Sequence, residues 1–133
     1  VENAADIIYR TDAQGRFIPW QPQERLPLLY SEADICVVPS VWREPFGIAA
    51  VEAMAAGRPV VASRSGGLEG IVEDGVTGFL VEPGNAAELA GRLAQLAADP
   101  DLRGRMGRAG REKAGREYSW DALMRDIYLP LFD

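Results

Sequence analysis

Glu44-Pro45-Phe46-Gly47-Ile48-Ala49-Ala50-Val51-Glu52 is the stretch on which the reading of this chain turns. A carboxylate stands at each end, with seven residues between them. Pro45 and Gly47 follow the first carboxylate, and a helix-forming run leads to the second. Directly before it lies Asp34-Ile35-Cys36-Val37-Val38-Pro39-Ser40, whose middle is continuously apolar, as in a strand buried on both faces. A strand, a short loop and a helix start carrying Pro and Gly form a common support for a phosphate group.

Working outward, the same unit recurs: a short apolar run, then an amphipathic helix. Phe17-Ile18 is a strand candidate, led by Gly15-Arg16 and stopped by Pro19. Asp12 to Gly15 reads as a turn, and Val1 to Arg10 is open to reading as a helix remnant. Glu24 to Glu32 reads as a helix with Leu26, Leu29 and Tyr30 on one side. Phe46 to Ala56 reads as a helix with Pro45 at its first turn and Gly57 just past its end. Val60-Val61-Ala62 and Phe79-Leu80-Val81 are the next strands, separated by a short helix that opens at Gly66-Gly67 and ends near Val72. Asn85 with Glu88 forms a capping box for a helix to about Ala98. Asp99-Pro100 starts another, to about Tyr118, and Ser119 a third, to about Leu129.

Strands alternating with helices predict an α/β fold, a Rossmann-like parallel sheet with flanking helices. The four strands fall short of a full doubly wound sheet. The expectation is therefore one partial lobe over residues 1–133, lacking its first strands.

Composition excludes several classes. The 133 residues are 47% hydrophobic and 26% charged, enough for a packed core. The net charge of −6 is opposite to the basic footprint of a nucleic-acid binder, so none is expected as a partner. One cysteine, Cys36, excludes an internal disulfide and reads as a buried, inert thiol in a reducing, cytoplasmic compartment. Histidine is absent, which removes Ser-His or Cys-His catalysis and His-ligated metal from this chain. No metal site and no cofactor are expected. No apolar run is long enough to span a bilayer, and the first residues carry no signal-peptide pattern.

If Pro45 opens the helix, Glu44 is its N-cap and Glu52 lies about 12 Å further along the axis, about 80° around it. Both carboxylates then face one cleft, and Glu52 leans towards the N-terminus. A diphosphate fits between them on the free N–H groups of Phe46, Gly47 and Ile48. The carboxylates accept hydrogen bonds from hydroxyls on either side, which is the form of a nucleoside-diphosphate sugar. The plainer alternative has Glu44 as a simple cap and Glu52 on a solvated face.

The run Pro39-Ser40-Val41-Trp42-Arg43-Glu44-Pro45-Phe46-Gly47, continued by Glu52-Ala53-Met54-Ala55-Ala56-Gly57-Arg58-Pro59-Val60-Val61-Ala62-Ser63, resembles the signature of the retaining GT-B glycosyltransferases of group 1. Leu26-Pro27-Leu28-Leu29-Tyr30, Ala33-Asp34, Gly66-Gly67-Leu68, Asp74-Gly75-Val76-Thr77-Gly78-Phe79-Leu80-Val81 and Tyr118-Ser119-Trp120 extend the match in order over residues 16–129.

The resemblance implies the C-terminal, donor-binding lobe of an enzyme that transfers a hexose from a nucleotide sugar. It implies that Glu44 contacts the transferred sugar, that the backbone of Phe46, Gly47 and Ile48 holds sugar and distal phosphate, and that Glu52 binds ribose. It places base contacts at Trp20 and Gln21. It also implies metal-independent transfer with retention of configuration, an N-terminal acceptor-binding domain outside these residues, and a last helix near 119–129 that packs towards that domain.

Three features depart from the family pattern: Pro19 stands where Gly is usual, Glu69 comes one residue early, and the basic residues that neutralise the pyrophosphate are missing. The basic helix after Asp99 reads first as a solvated face. The alternative is attraction to an anionic membrane surface that carries the acceptor. A non-catalytic nucleotide-binding or interaction module on the same fold is the alternative function.

Overall fold

The computed structural model describes residues 10–11, 17–18, 26–43 and 45–119, with side chains described for 29–43 and 45–119. In chain order its elements are β1 (Arg10–Thr11), β2 (Phe17–Ile18), α1 (Leu26–Glu32), β3 (Cys36–Val38), α2 (Ile48–Ala55), β4 (Val60–Ser63), α3 (Leu68–Ile71), β5 (Gly78–Val81), α4 (Ala86–Ala98) and α5 (Pro100–Glu117).

Three of the strands form a parallel sheet in the order β3-β4-β5. Cys36 is level with Val60, and Val60 with Gly78. Side chains alternate across a strand, so β4 and β5 each feed two cores. Val60, Ala62 and Leu80 join Ala50, Ala53 and Met54 of α2, Leu68 and Ile71 of α3, and Tyr30 of α1 on one face. Val61, Phe79 and Val81 join Leu96 of α4 and Met106 of α5 on the other. Every residue of β4 and β5 is buried, as expected of parallel strands covered on both faces.

β2 departs from the sequence expectation. It pairs antiparallel with β1, Thr11 opposite Phe17 and Arg10 opposite Ile18, and is not a strand of the parallel sheet. Two strands joined by a short turn-rich segment pair locally as a hairpin, with no crossover helix needed. Arg10 is thus a strand residue, not part of a helix remnant. The helix expected near 119–129 lies outside the described residues.

The helix caps follow the sequence closely. Asn85 Oδ1 accepts from Glu88 N at 3.0 Å, and Asp99 Oδ1 accepts from Leu102 N at 3.0 Å. Between α3 and β5, the Asp74 carboxylate accepts from Leu80 N and the Thr77 hydroxyl accepts from Glu73 N, so the Asp74-to-Gly78 turn is a structural clasp.

α5 packs on α2 through small residues. Gly107, Gly110 and Ala114 are buried, and a Cβ on Gly107 would collide with the Gly57 carbonyl oxygen. The buried side of this otherwise basic helix thus combines Met106 and Ala114 with two glycines.

Gly78 is the tightest point of the sheet. A Cβ there would overlap the Val60 carbonyl oxygen, and backbone cannot rotate away as a side chain does. Gly78→Ala should lower stability by about 3 kcal/mol or more, read from urea unfolding. Asp99→Ala, which removes one helix cap, should cost about 1 kcal/mol in the same measurement. A Gly78→Ala cost no larger than the cap's would mean that β4 and β5 adjust freely.

Candidate functional site

The segment after β3 and the segment after β4 meet at the C-terminal edge of the sheet. Ser65 Oγ donates to the Trp42 carbonyl at 2.6 Å. Gly67 lies so close to the Pro45–Phe46 backbone that a Cβ on it would come within 2.8 Å of the Pro45 oxygen. The second loop thus braces the first. Pro45, Phe46, Gly67, Gly70, Ile71 and Tyr118 line a hollow of about 220 Å³ between them.

Gly47 turns the chain into α2. Its φ of 72° is left-handed, and it serves as the N-cap with no side-chain hydrogen bond. This corrects the expected helix start. Pro45 and Phe46 are bends, α2 begins at Ile48, and Glu44 is not the N-cap. The 12 Å and 80° separation does not apply, since it assumed a continuous helix from Pro45. Within α2, Ala50 and Val51 donate to the Gly47 carbonyl. Ile48 and Ala49 lie in the first turn, where the helix itself supplies their N–H groups with no acceptor.

Glu52 lies four residues after Ile48, one turn on and about 6 Å along the axis. Both residues are exposed, whereas Ala50, Ala53 and Met54 are buried. Glu52 therefore stands on the same open face as the start of the helix. That face carries two exposed apolar residues as well, Phe46 and, at 56% exposure, Ile48. Glu44, Trp20 and Gln21 lie outside the described residues.

Behind Glu52 lies a buried polar group. Tyr30 is 9% exposed, and no acceptor meets its hydroxyl at good hydrogen-bond geometry. Burial first, and then the charge and hydrogen-bonding reach of the Glu52 carboxylate, push the Tyr30 phenol far above its ordinary range. Cys36, packed against the same core cluster, has its thiol pushed up to about 11 by burial, opposed by the Arg58 charge. Reading Tyr30 only as a packing residue of α1 missed its proximity to Glu52. The tyrosine hydroxyl on an otherwise apolar helix face was the available signal.

Two described basic groups lie by the sheet edge: Arg43, exposed in the loop after β3, and Arg64, which is engaged. Arg64, just past β4, pairs with Glu82 at 3.2 Å and Asp74 at 3.6 Å. Three other cations sit at helix C-termini, where the dipole favours them. Arg58 donates to the Ser31 carbonyl, Lys113 to those of Gly70 and Ile71, and Arg103 to those of Leu96 and Ala97. Among the described residues no group of acidic or cysteine side chains has metal-binding geometry.

A family model for group 1 glycosyl transferases matches residues 8–113. The chain belongs to this family. Over 116 residues it is 43% identical to a D-inositol 3-phosphate glycosyltransferase of Corynebacterium kroppenstedtii, covering 85% of the chain and 25% of that relative. The enzyme of the same name in Corynebacterium efficiens is 46% identical, covering 87% of the chain and 27% of the relative. The chain thus spans about a quarter of the length of the curated relatives it matches.

Solved structures agree on the fold, that of the GT-B glycosyltransferases. A sucrose-phosphate synthase from Thermosynechococcus elongatus superposes with a TM-score of 0.79 at 40% identity, over 90% of this chain and 31% of that one. Anabaena HepE in complex with UDP gives 0.75 at 33% identity, over 80% and 29% of the two chains.

Two outcomes follow from this geometry. Gly47→Ala strains a left-handed residue and drives a Cβ to 2.8 Å from Leu68 Cδ2 and 2.9 Å from Ile71 Cδ1. It should cost about 2–3 kcal/mol in urea unfolding, and a neutral result would mean that α2 can start elsewhere. The Cys36 thiol stays protonated at pH 8 and should react with iodoacetamide much more slowly than a free cysteine does. Equal rates would mean that the thiol is accessible and ordinary.

Proposed function

We propose that this glycosyltransferase chain forms the donor-binding part of an enzyme that transfers a hexose from a nucleoside-diphosphate sugar to an acceptor, with retention of configuration and without a metal. The observation that carries this reading is the start of α2. An exposed first turn at Ile48 follows the C-terminal end of β3, Gly47 turns the chain at φ 72° while buried against Leu68 and Ile71, and Glu52 stands one turn on along the same open face as Ile48.

In this reading the backbone at Phe46, Gly47 and Ile48 receives the distal phosphate and the sugar. Unpaired N–H groups and the helix dipole stabilise the negative charge that grows on the departing nucleotide. Glu52 accepts hydrogen bonds from the ribose hydroxyls, and Glu44 orients the transferred sugar. Trp20 and Gln21 contact the base. Arg64 is held by two carboxylates, whereas Arg43, exposed in the loop after β3, lies beside the proposed phosphate position; the acceptor-binding domain comes from sequence outside these 133 residues. Support comes from one relative solved twice with a nucleotide, Anabaena HepE in complex with UDP and with UDP-glucose. In this reading the enzyme acts in the cytoplasm, peripherally at the inner membrane face if its acceptor is lipid-linked. No described helix is long and apolar enough to cross a membrane.

The test is carried out in the full-length protein. Glu52→Ala should weaken binding of the preferred diphosphate among UDP, GDP and ADP by about ten- to a hundredfold in calorimetry, the loss of one or two charged hydrogen bonds. Glu44→Gln should reduce transfer at least as strongly while leaving nucleotide binding largely intact. Normal transfer by Glu44→Gln removes its assigned role. Nucleotide binding without transfer in the wild type would leave a binding module instead.

A further inference from the structure

We infer that Tyr30 is a positioning residue for Glu52: its buried hydroxyl donates to one carboxylate oxygen and so holds the other towards the ribose hydroxyls. The inference rests on the reading of Glu52 as the ribose acceptor.

Three observations carry it. The ring of Tyr30 belongs to the core cluster with Ala50, Ala53 and Met54 of α2, so α1 presents it to the helix that bears Glu52. Its hydroxyl oxygen is inaccessible to solvent and meets no acceptor at good geometry. The Glu52 carboxylate is nevertheless within interacting reach of that hydroxyl. Phenylalanine fills such a place without burying a polar group, so the oxygen is unfavourable for packing alone.

The chemistry is complementary. A phenol carries one hydrogen to donate, and an ionised carboxylate only accepts. A glutamate on an open helix face has several rotamers, most of which point away from a ligand at the helix start. A donor fixed in the core selects among them. It engages one oxygen and leaves the second free for a hydroxyl. Hydrogen bonds that serve a ligand often draw tight only in the complex, which fits a donor and acceptor that are close but not ideally aligned. Cys36, also near Tyr30, keeps its proton and does not compete as an anion. Arg58 donates to the Ser31 carbonyl.

Tyr30→Phe in the full-length protein is the test, with Glu52→Gln and the double variant beside it. Binding of the preferred diphosphate among UDP, GDP and ADP is measured together with its 2′-deoxy and 3′-deoxy counterparts. The wild type should prefer the ribose form. Tyr30→Phe should weaken that form about tenfold, the scale of one hydrogen bond, and the deoxy form that lacks the contacted hydroxyl about twofold or less. In turnover the donor KM should rise with kcat little changed. The melting temperature should hold or rise, since an unsatisfied hydroxyl leaves the core. In the double variant the two effects should not add, because Tyr30 acts only through Glu52.

Equal weakening of ribose and deoxy forms, additive effects, or a lower melting temperature with an unchanged ribose preference would each overturn the inference in favour of packing. Should Glu52→Gln itself leave the ribose preference intact, or should none of the three nucleotides bind, the reading of Glu52 fails and this inference with it. Should Glu52→Gln abolish the preference while Tyr30→Phe keeps it, the inference about Tyr30 alone is lost.

Discussion

The close approach of the loop after β4 to the loop after β3 is the constraint on which the site geometry depends. Gly67 leaves no room for a side chain against Pro45, and Gly47 leaves none against Leu68 and Ile71. The Ser65 hydroxyl ties the two loops at Trp42. Where α3 begins therefore fixes where α2 can begin. Gly47 resolves the crowding by turning left-handed, and α2 starts at once with no side-chain cap on its first turn. A larger residue at either glycine would push the helix start away from the end of β3.

Position along the sheet is set from the other side. α5 lays Gly107 and Gly110 against Gly57 and Met54, which lets two helices lie nearly backbone to backbone. α2 is thus clamped between the sheet, α3 and α5. Its buried residues are mostly alanines, which suits such close packing. The exposed face is the one side left for a ligand, and Ile48 and Glu52 occupy it.

Much of the fold was legible because local chemistry decided it. Cys36–Val38, Val60–Ser63 and Gly78–Val81 are apolar without alternation, and they are the three parallel strands. Asn85 and Asp99 cap helices where their spacing said they would. What escaped was decided by contacts distant in sequence. The start of α2 depends on Leu68, Ile71 and Gly67, so Pro45 alone misplaced it. The buried side of α5 is made of glycines, which hydrophobic periodicity does not register. β2 found a local antiparallel partner, where the alternation of strands and helices suggested a place in the parallel sheet. At the site, Glu52 lies on the helix its surroundings predict, on the exposed face. The buried hydroxyl of Tyr30 behind it is visible only when α1 and α2 are packed together.

The distribution of cations sharpens the proposed division of labour. A net charge of −6 would seem a poor match for a diphosphate. Arg58, Arg103 and Lys113 are spent on helix C-termini, and Arg64 is matched by Asp74 and Glu82. Arg43 stays exposed in the loop after β3, and beside it the start of α2 offers a phosphate dipoles: N–H groups of a helix first turn, fixed in direction by packing. Dipoles held this way need no rearrangement as charge develops, and a dry surrounding strengthens them. Full neutralisation of two phosphates asks for more than one helix end supplies. The carboxylate of Glu52, on the same face, would repel a phosphate placed directly upon it and favours hydroxyls in its place. In the proposed reading, charge therefore favours the phosphate at the first turn and the ribose hydroxyls at Glu52.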